Sequence, residues 1–345
     1  MRKIKVGVVG VGHLGKIHAR VYSELPQAEL TTIVDANKSV AQEVSAKYKA
    51  KALYDHREAI GAVEAASIAV PTDSHFSIAK DLIEAGLHVI VEKPMTKSIE
   101  EAQELVRLAK LHNVVLQVGH VERFNPAILA VKEFINNPRF IECDRISPFS
   151  FRSIDIGVVL DMMIHDLDII LAFIDSPIRE IEAMGVNVLG PHEDMASARI
   201  AFENDCIAYV RASRISRKRV RKIRIFQEDT YVSLDYSTQK VQIFRRGEQF
   251  SLEKLATLRE SVSSAEEAQK LIFDKLLNIR EIDVKADEPL KIELQSFLQS
   301  IAEGKGAVVS GETALKTMQM ASFILESIKR RKRIFPNEQS CHSCR

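Results

Sequence analysis

The chain is 345 residues long, with 46% apolar and 28% charged residues and a formal net charge of +1. That length accommodates two domains, the composition is that of a globular protein, and the near-neutral balance gives no footprint for nucleic acid or an anionic membrane surface. No apolar run approaches the roughly 18–20 residues of a bilayer span, and residues 1–5 lead into a strand without the apolar segment of a signal peptide, so a cytoplasmic protein without membrane insertion is expected.

The first 120 residues alternate strand and helix. Apolar runs at 4–9, 30–34, 66–70, 88–91 and 114–118 predict strands, and stretches at 14–24, 38–48, 74–85 and 98–112 predict helices. This alternation implies α/β class, a doubly wound parallel sheet covered on both faces. Gly86 suits a helix C-cap, and Ser98 with Glu100 and Glu101 suits an N-cap followed by acids in the first turn. Beyond residue 120 the pattern changes. Helices at 126–135 and 160–174 bracket a strand near 140–147, and strand-like runs follow at 179–188, 196–203, 206–213, 221–227, 230–235 and 240–244. Short turns such as Glu203-Asn204-Asp205 predict an α+β domain with an open, mainly antiparallel sheet. Helices at 289–303 and 311–330 close the chain around Gly304-Lys305-Gly306. The expected division is a nucleotide-binding domain over 1–120, a substrate-binding and oligomerisation domain over 121–335, and a flexible tail over 336–345.

The first strand feeds directly into Gly10-Val11-Gly12-His13-Leu14-Gly15, which opens the first helix. Gly10 permits the tight turn, Gly12 lets a pyrophosphate approach the backbone, and Gly15 lets helix and strand pack closely, with His13 and Leu14 completing the cofactor-binding turn. Asp35 ends the second strand, 20 residues after Gly15. An acid there accepts hydrogen bonds from ribose hydroxyls and repels a 2′-phosphate, which favours NAD over NADP; Lys38 softens that preference.

Pro71-Thr72-Asp73-Ser74-His75 follows the third strand, at the edge where doubly wound sheets bind ligands. Thr72, Ser74 and His75 read either as cofactor lining, with Pro71 beside them, or as a turn and helix cap in which Thr72 or Ser74 is the capping residue. Glu92-Lys93-Pro94 ends the fourth strand; a stiffened turn there could aim the Lys93 ammonium at a substrate oxygen, or the charges could form a surface ion pair. Asp161 and His165 are four apart on a helix that apolar residues nearly encircle, with Asp168 three residues further on. Buried acids and a histidine must pair or do chemistry, and a histidine oriented by a carboxylate is a natural base for an alcohol proton. No third soft ligand accompanies them, so no metal is expected. The basic stretch 211–224 reads as a solvated strand face or as a site for a diphosphate or anionic sugar. Cys341-His342-Ser343-Cys344 lacks the second pair of a zinc site and reads as tail, while Cys143 and Cys206 read as core.

Taken together these motifs resemble the Gfo/Idh/MocA oxidoreductase family. The marks are Gly10-x-Gly12-x-x-Gly15, Asp35, Pro71 to His75, Glu92-Lys93-Pro94, Gly119-His120-Val121-Glu122-Arg123-Phe124-Asn125-Pro126, Asp161-x-x-x-His165 and Val309-Ser310-Gly311-Glu312, which cover nearly the whole chain. The resemblance implies a Rossmann domain followed by a domain whose open sheet makes oligomer contacts, a dimer or tetramer, a nicotinamide cofactor, and oxidation of a sugar or cyclitol hydroxyl. It implies that Lys93, Asp161 and His165 are catalytic, that Glu92 and Gln117 lie on the cofactor side, and that Arg123, Asn125, Arg152 and Asp155 join His165 at the substrate. Residues 119–126 with Arg152-x-x-Asp155-x-Gly157 are similar to nucleotide-sugar 3-dehydrogenases, which implies oxidation at C3 of UDP-N-acetylglucosamine or a relative. Ile154-Asp155-Ile156 stands where many members have consecutive glycines, a departure that bears on substrate rather than reaction. Residues 160–168 also resemble inositol dehydrogenases, so an inositol or free-sugar dehydrogenase is the alternative. Two readings of other classes are an NAD-dependent glycoside hydrolase and a non-catalytic NAD-binding regulator.

Overall fold

The computed structural model describes residues 2–150, 156–247 and 276–334, with positions 250, 251, 253, 255, 256, 263, 264, 266, 267, 270 and 273 between them. Two compact units divide the chain: Met1–Asn125 with Asp287–Met320, and Pro126–Ala286 with the residues from Ala321 onward.

The first unit carries a six-stranded parallel sheet of β1 (Ile4–Val9), β2 (Ala28–Val34), β3 (Lys51–Leu53), β4 (Ala65–Ile68), β5 (His88–Glu92) and β6 (Leu116–Gly119), in the order β3-β2-β1-β4-β5-β6. Its strands read as apolar runs because both faces are covered. On one face α1 (His13–Glu24) and α2 (Lys38–Tyr48) pack Ala19, Val21, Tyr22 and Val44 against Val6, Val8 and Ile33. On the other, α3 (His75–Glu84) and α4 (Ile99–Leu111) bury Ala79, Leu82, Ile83, Leu105 and Leu108 against Ile68, Val89, Val91 and Val118. Local signals act as expected: the Ser98 side chain accepts from the Glu101 N–H at the start of α4, and Gly86 adopts a φ of 83° just after α3.

One segment departs from the sequence pattern. The residues that open the C-terminal part, α7 (Pro289–Glu303) and the start of α8 (Gly311–Ile334), fold onto the first unit rather than the second. The reason is apolar: Leu294, Phe297 and Leu298 join the core of α1 and β1, and Val309, Ala314 and Met318 join that of α4 and β6. Strand β3, with three residues, was also not anticipated.

The second unit contains α5 (Pro126–Val131), β7 (Phe140–Ile146), a π-helical turn at Val159–Met163 that continues into α6 (Ile164–Phe173), then β8 (Ile178–Val186), β9 (Met195–Phe202), β10 (Ile207–Ser213), β11 (Val220–Phe226), β12 (Thr230–Asp235), β13 (Lys240–Arg246) and β14 (Leu277–Ile282). The eight strands run β14-β13-β12-β11-β7-β10-β9-β8, antiparallel except for the β7–β10 pair. One face is apolar, through Ile141, Cys143, Ala208, Val210, Ile223, Ile225, Val232 and Ile243, and α6 packs against it at β7 and β10. The other carries an aromatic row across the strands. Ring centroids are 5.8 Å apart for Phe140–Phe226, 4.7 Å for Phe226–Tyr231 and 5.1 Å for Tyr231–Phe244. Phe226 and neighbouring Tyr209 are exposed.

Candidate active site

In the first unit Gly10 to Gly15, Asp35, Pro71, Thr72, Glu92 and Lys93 lie at or just past the carboxyl ends of β1, β2, β4 and β5, the edge where open α/β sheets bind ligands, while Gln117 lies within β6. Gly10 follows β1 with a φ of 83°, a conformation L side chains avoid, and a Cβ there would lie 2.6 Å from Val70 Cγ1. A Cβ on Gly15 would come within 1.8 Å of the Gly10 carbonyl oxygen, so helix and turn meet without space for a side chain. Gly12 is the contrasting case: nothing stands within 4 Å of its missing Cβ. It caps α1 without a side-chain hydrogen bond, leaving the first-turn N–H groups and the positive end of the helix dipole directed outward, with exposed His13 and Leu14 beside them. These residues fit a dinucleotide pyrophosphate.

Asp35, at the end of β2, is tied to the same turn. Its Oδ2 accepts from the Val11 N–H at 2.8 Å and its Oδ1 from the Asn37 N–H at 2.8 Å. Ionised carboxylate oxygens can accept further bonds, so ribose hydroxyls remain within the capacity of this group. Pro71 and Thr72 lie at the tight turn after β4. His75 is buried at 1% exposure, and its two ring nitrogens lie 2.9 Å from the carbonyl oxygens of Val70 and Pro94. A neutral imidazole carries one N–H, so one of these carbonyls accepts from His75, which packs between the turns after β4 and β5.

Glu92 ends β5 and Lys93 follows it, with a cis Lys93-Pro94 peptide. Burial pushes the Glu92 carboxyl up, but the hydrogen bond from His18 and the neighbouring Lys93 outweigh it and hold the group below the usual carboxylate range. Gln117 is fully buried on β6; its Nε2 donates to the Glu293 carbonyl at 3.3 Å. Arg123 is half-buried in the turn after β6, and buried Asn125 donates to Glu122 Oε2 at 3.3 Å.

In the second unit Asp161 and His165 are half-buried while their neighbours Met163, Ile164 and Asp166 are buried. The sequence predicts one continuous helix here; instead Asp161 sits in the π-helical turn and His165 in the first turn of α6. Such turns recur at functional sites. Arg152 and Asp155 fall outside the described residues, as do Cys341 and Cys344.

The side chains that hold this helix escape sequence reasoning. Glu193 Oε1 accepts from the Val159 N–H at 3.2 Å, and a Cβ on Gly157 would lie 1.9 Å from that same oxygen. Asp194 pairs with Arg214 at 2.6 Å, and Arg214 donates onward to the Ile156 carbonyl at 2.7 Å. Burial raises the Asp194 carboxyl, but N–H groups of Leu189 and Val188 and the Arg214 guanidinium bring it below its ordinary value. Next to His165, Asp166 accepts two hydrogen bonds from Arg145, at 2.8 and 2.9 Å, and one from the Tyr236 hydroxyl at 2.6 Å. A signal for Arg145 was present: it occupies an inward position in the alternation that buries Ile141 and Cys143.

The basic stretch divides. Arg211 pairs with Asp144, Arg224 with Glu142 and Lys222 with Asp235 across neighbouring strands, and Arg214 is buried. Only Arg217, Lys218 and Arg219 stand together in an exposed turn. Among the described residues no cluster of three or more His, Cys, Asp or Glu could hold a metal ion, and no helix is long and apolar enough to cross a membrane.

Residues 4–120 match a profile described as an oxidoreductase family with an NAD-binding Rossmann fold, and residues 135–232 match a GFO/IDH/MocA C-terminal domain. The chain is 33% identical, over 93% of its length and 96% of the relative's, to UDP-N-acetylglucosamine 3-dehydrogenase of Acidithiobacillus ferrooxidans. A solved structure of that enzyme superposes with a TM-score of 0.85 over 96% of this chain and 99% of the other, at 30% identity. The scyllo-inositol 2-dehydrogenase (NAD(+)) of Bacillus subtilis is 26% identical over 89% of each chain.

Proposed function

The chain belongs to the Gfo/Idh/MocA family of NAD-binding oxidoreductases, and on that premise we propose that it oxidises the C3 hydroxyl of a nucleotide sugar, UDP-N-acetylglucosamine or a close relative. The observation that carries this reading is the 33% identity to a UDP-N-acetylglucosamine 3-dehydrogenase over 93% of the chain. NAD, when bound, is the two-electron acceptor. The Gly10–Gly15 turn and the N-terminus of α1 hold its pyrophosphate, and Asp35 its ribose. Lys93 donates to the substrate oxygen and stabilises the negative charge that develops on it. His165 accepts the hydroxyl proton at a ring nitrogen, and Asp161 orients the imidazole. Arg123, Asn125, Arg152 and Asp155 contact the sugar. The exposed cations Arg217, Lys218 and Arg219 suit a diphosphate, and Arg214, which precedes them, is bonded to Ile156 at the approach to the catalytic helix. Two acidic phosphates meeting three cations would favour a nucleotide sugar over a neutral one.

The open face of the second sheet supports a homo-oligomer. A half-buried aromatic row across several strands, with Phe226 and Tyr209 exposed, is the kind of patch a second copy buries. NAD and activated sugars are soluble cytoplasmic metabolites, which supports a cytoplasmic location.

The test is NADH absorbance on adding NAD with UDP-N-acetylglucosamine, its uronate, myo-inositol and glucose in turn, with a ketone trap to draw the reaction forward. Turnover of UDP-sugars that vanishes in Lys93→Met and His165→Ala supports the reading. Turnover of inositol alone would transfer it to the second candidate, an inositol dehydrogenase, which the scyllo-inositol enzyme's 26% identity over 89% of each chain favours.

A further inference from the structure

Four side chains of the first unit form a buried polar line that no nucleotide motif requires. Tyr22 Oη lies 2.8 Å from Ser67 Oγ, Ser67 Oγ lies 3.1 Å from His18 Nδ1, and His18 Nε2 lies 2.9 Å from Glu92 Oε1. Tyr22, Ser67 and His18 are each no more than 1% exposed. Their neighbours Ala19, Val21, Ala66, Ile68 and Val91 are all buried and apolar, so the line is an island of polarity in an apolar layer. A buried ionisable chain of this kind costs desolvation at every member and persists when each donor meets an acceptor.

The chemistry fixes its direction at Glu92. An ionised carboxylate only accepts, so His18 Nε2 carries the proton that faces Glu92. Beyond it, Ser67 Oγ bridges His18 Nδ1 and the Tyr22 hydroxyl, within hydrogen-bond distance of both. At the far end, Glu92 also accepts from the main-chain N–H of Lys93. On the β6 side the carboxyl lies against Gly119, where a Cβ would come within 3.0 Å of its oxygens, so glycine there leaves the carboxyl its room. Glu92 is thus held by His18 on one side and by the Lys93 N–H on the other, and both favour its anionic state.

We propose that His18 is a positioning residue for the reaction: through its hydrogen bond to Glu92 it fixes the carboxylate that holds the Lys93 main chain and aims the Lys93 ammonium. The inference rests on the reading of Lys93 as the group that binds the substrate oxygen. It adds that α1 has two tasks, presenting N–H groups to the cofactor at its first turn and steadying the catalytic strand end from its second.

The experiment uses the full chain and measures kcat and its pH profile with UDP-N-acetylglucosamine, NAD affinity by calorimetry, and acetic anhydride labelling of Lys93 by mass spectrometry. His18→Leu removes the donor to Glu92. It is expected to lower kcat at least tenfold, to move the acid limb of the profile to higher pH because Glu92 protonates more easily, and to change Lys93 labelling at least threefold, with NAD affinity within about twofold. His18→Gln, whose amide N–H reaches the same carboxylate, is expected to restore kcat to within about threefold and to return the labelling. Ser67→Ala removes only the next link and supplies a milder variant if His18→Leu does not fold; a two- to fivefold fall in kcat is expected. Wild-type kcat, profile and labelling in His18→Leu, or in Ser67→Ala where His18→Leu is unfolded, overturns the proposal. So does His18→Gln as impaired as His18→Leu, which would assign the effect to packing. Undiminished turnover in Lys93→Met overturns the preceding reading of Lys93 instead, and absent turnover in the wild type overturns the substrate assignment and this inference together.

Discussion

In the first unit the Gly10–Gly15 turn is placed by main-chain geometry, whereas in the second the helix bearing Asp161 and His165 is placed by buried charge. Gly10, Gly12 and Gly15 act through the absence of a side chain, and each does so within six residues of sequence. Glu193, Asp194, Arg214, Arg145 and Tyr236 act through hydrogen bonds that join residues 20 to 70 apart, as in Arg214–Asp194 and Tyr236–Asp166. At Gly10 and Gly15 that turn tolerates almost no added volume. A helix held by ion pairs tolerates volume but not the loss of one partner, because the survivor is left as a buried, uncompensated charge.

The largest effect should come from the second mode. Arg145→Met leaves Asp166 buried without its two-pronged donor and should destabilise the protein by about 3–5 kcal/mol, read from urea unfolding. The double variant Arg145→Met with Asp166→Leu should recover most of that loss. If both variants unfold alike, the Arg145 site is governed by shape and the contrast between the units fails.

Gly15→Ala should be nearly as costly, about 3 kcal/mol or more, because its Cβ would meet the Gly10 carbonyl at 1.8 Å and backbone cannot step aside. Gly12→Ala tests the opposite prediction at the same turn: with open space around its Cβ, the melting temperature should stay unchanged while NAD affinity falls about tenfold. Equal melting-temperature losses in the two variants would break the division of labour between these glycines.

Asp194→Asn should cost about 2 kcal/mol at neutral pH. The native carboxyl titrates below its ordinary value, so its contribution is present above the unfolded-state pKa and is lost as pH falls through the native one. The gap in stability between wild type and variant should therefore narrow from pH 7 towards pH 3. A gap that widens on acidification would reverse the sign of the clamp. Smallest is the exposed cross-strand pair Arg224–Glu142 on the open sheet face, where Arg224→Ala should change stability by less than about 1 kcal/mol.

The same contrast explains what could be read beforehand. Strand and helix positions in the first unit follow apolar runs and come out close to expectation, because a strand buried on both faces announces itself. The glycine turn and Asp35 were legible because their spacing is local. Strand β3 is too short to show a period, and β14 lies at the edge of its sheet with four exposed residues. The assignment of α7 to the first unit could not be read from its amphipathic pattern, which says that a face is buried but not against what. The π-helical turn at Asp161 and the clamps on α6 depend on which strands become neighbours, and that is a property of topology.

Strand β7 has a consequence for synthesis. It lies at the interior of the eight-stranded sheet, yet its partners β10 and β11 come much later in the chain. At 5–20 residues per second, roughly 4–16 s pass between completion of β7 and of β11. Until β10 is made both of its hydrogen-bonding edges wait for partners, and until β11 is made one edge still does, with the buried row Ile141-Cys143-Arg145 uncovered beside it. The nascent second unit is therefore most open to wrong pairing while the segment bearing Asp161 and His165 is already made, and a ribosome pausing before residue 226 would prolong that exposure.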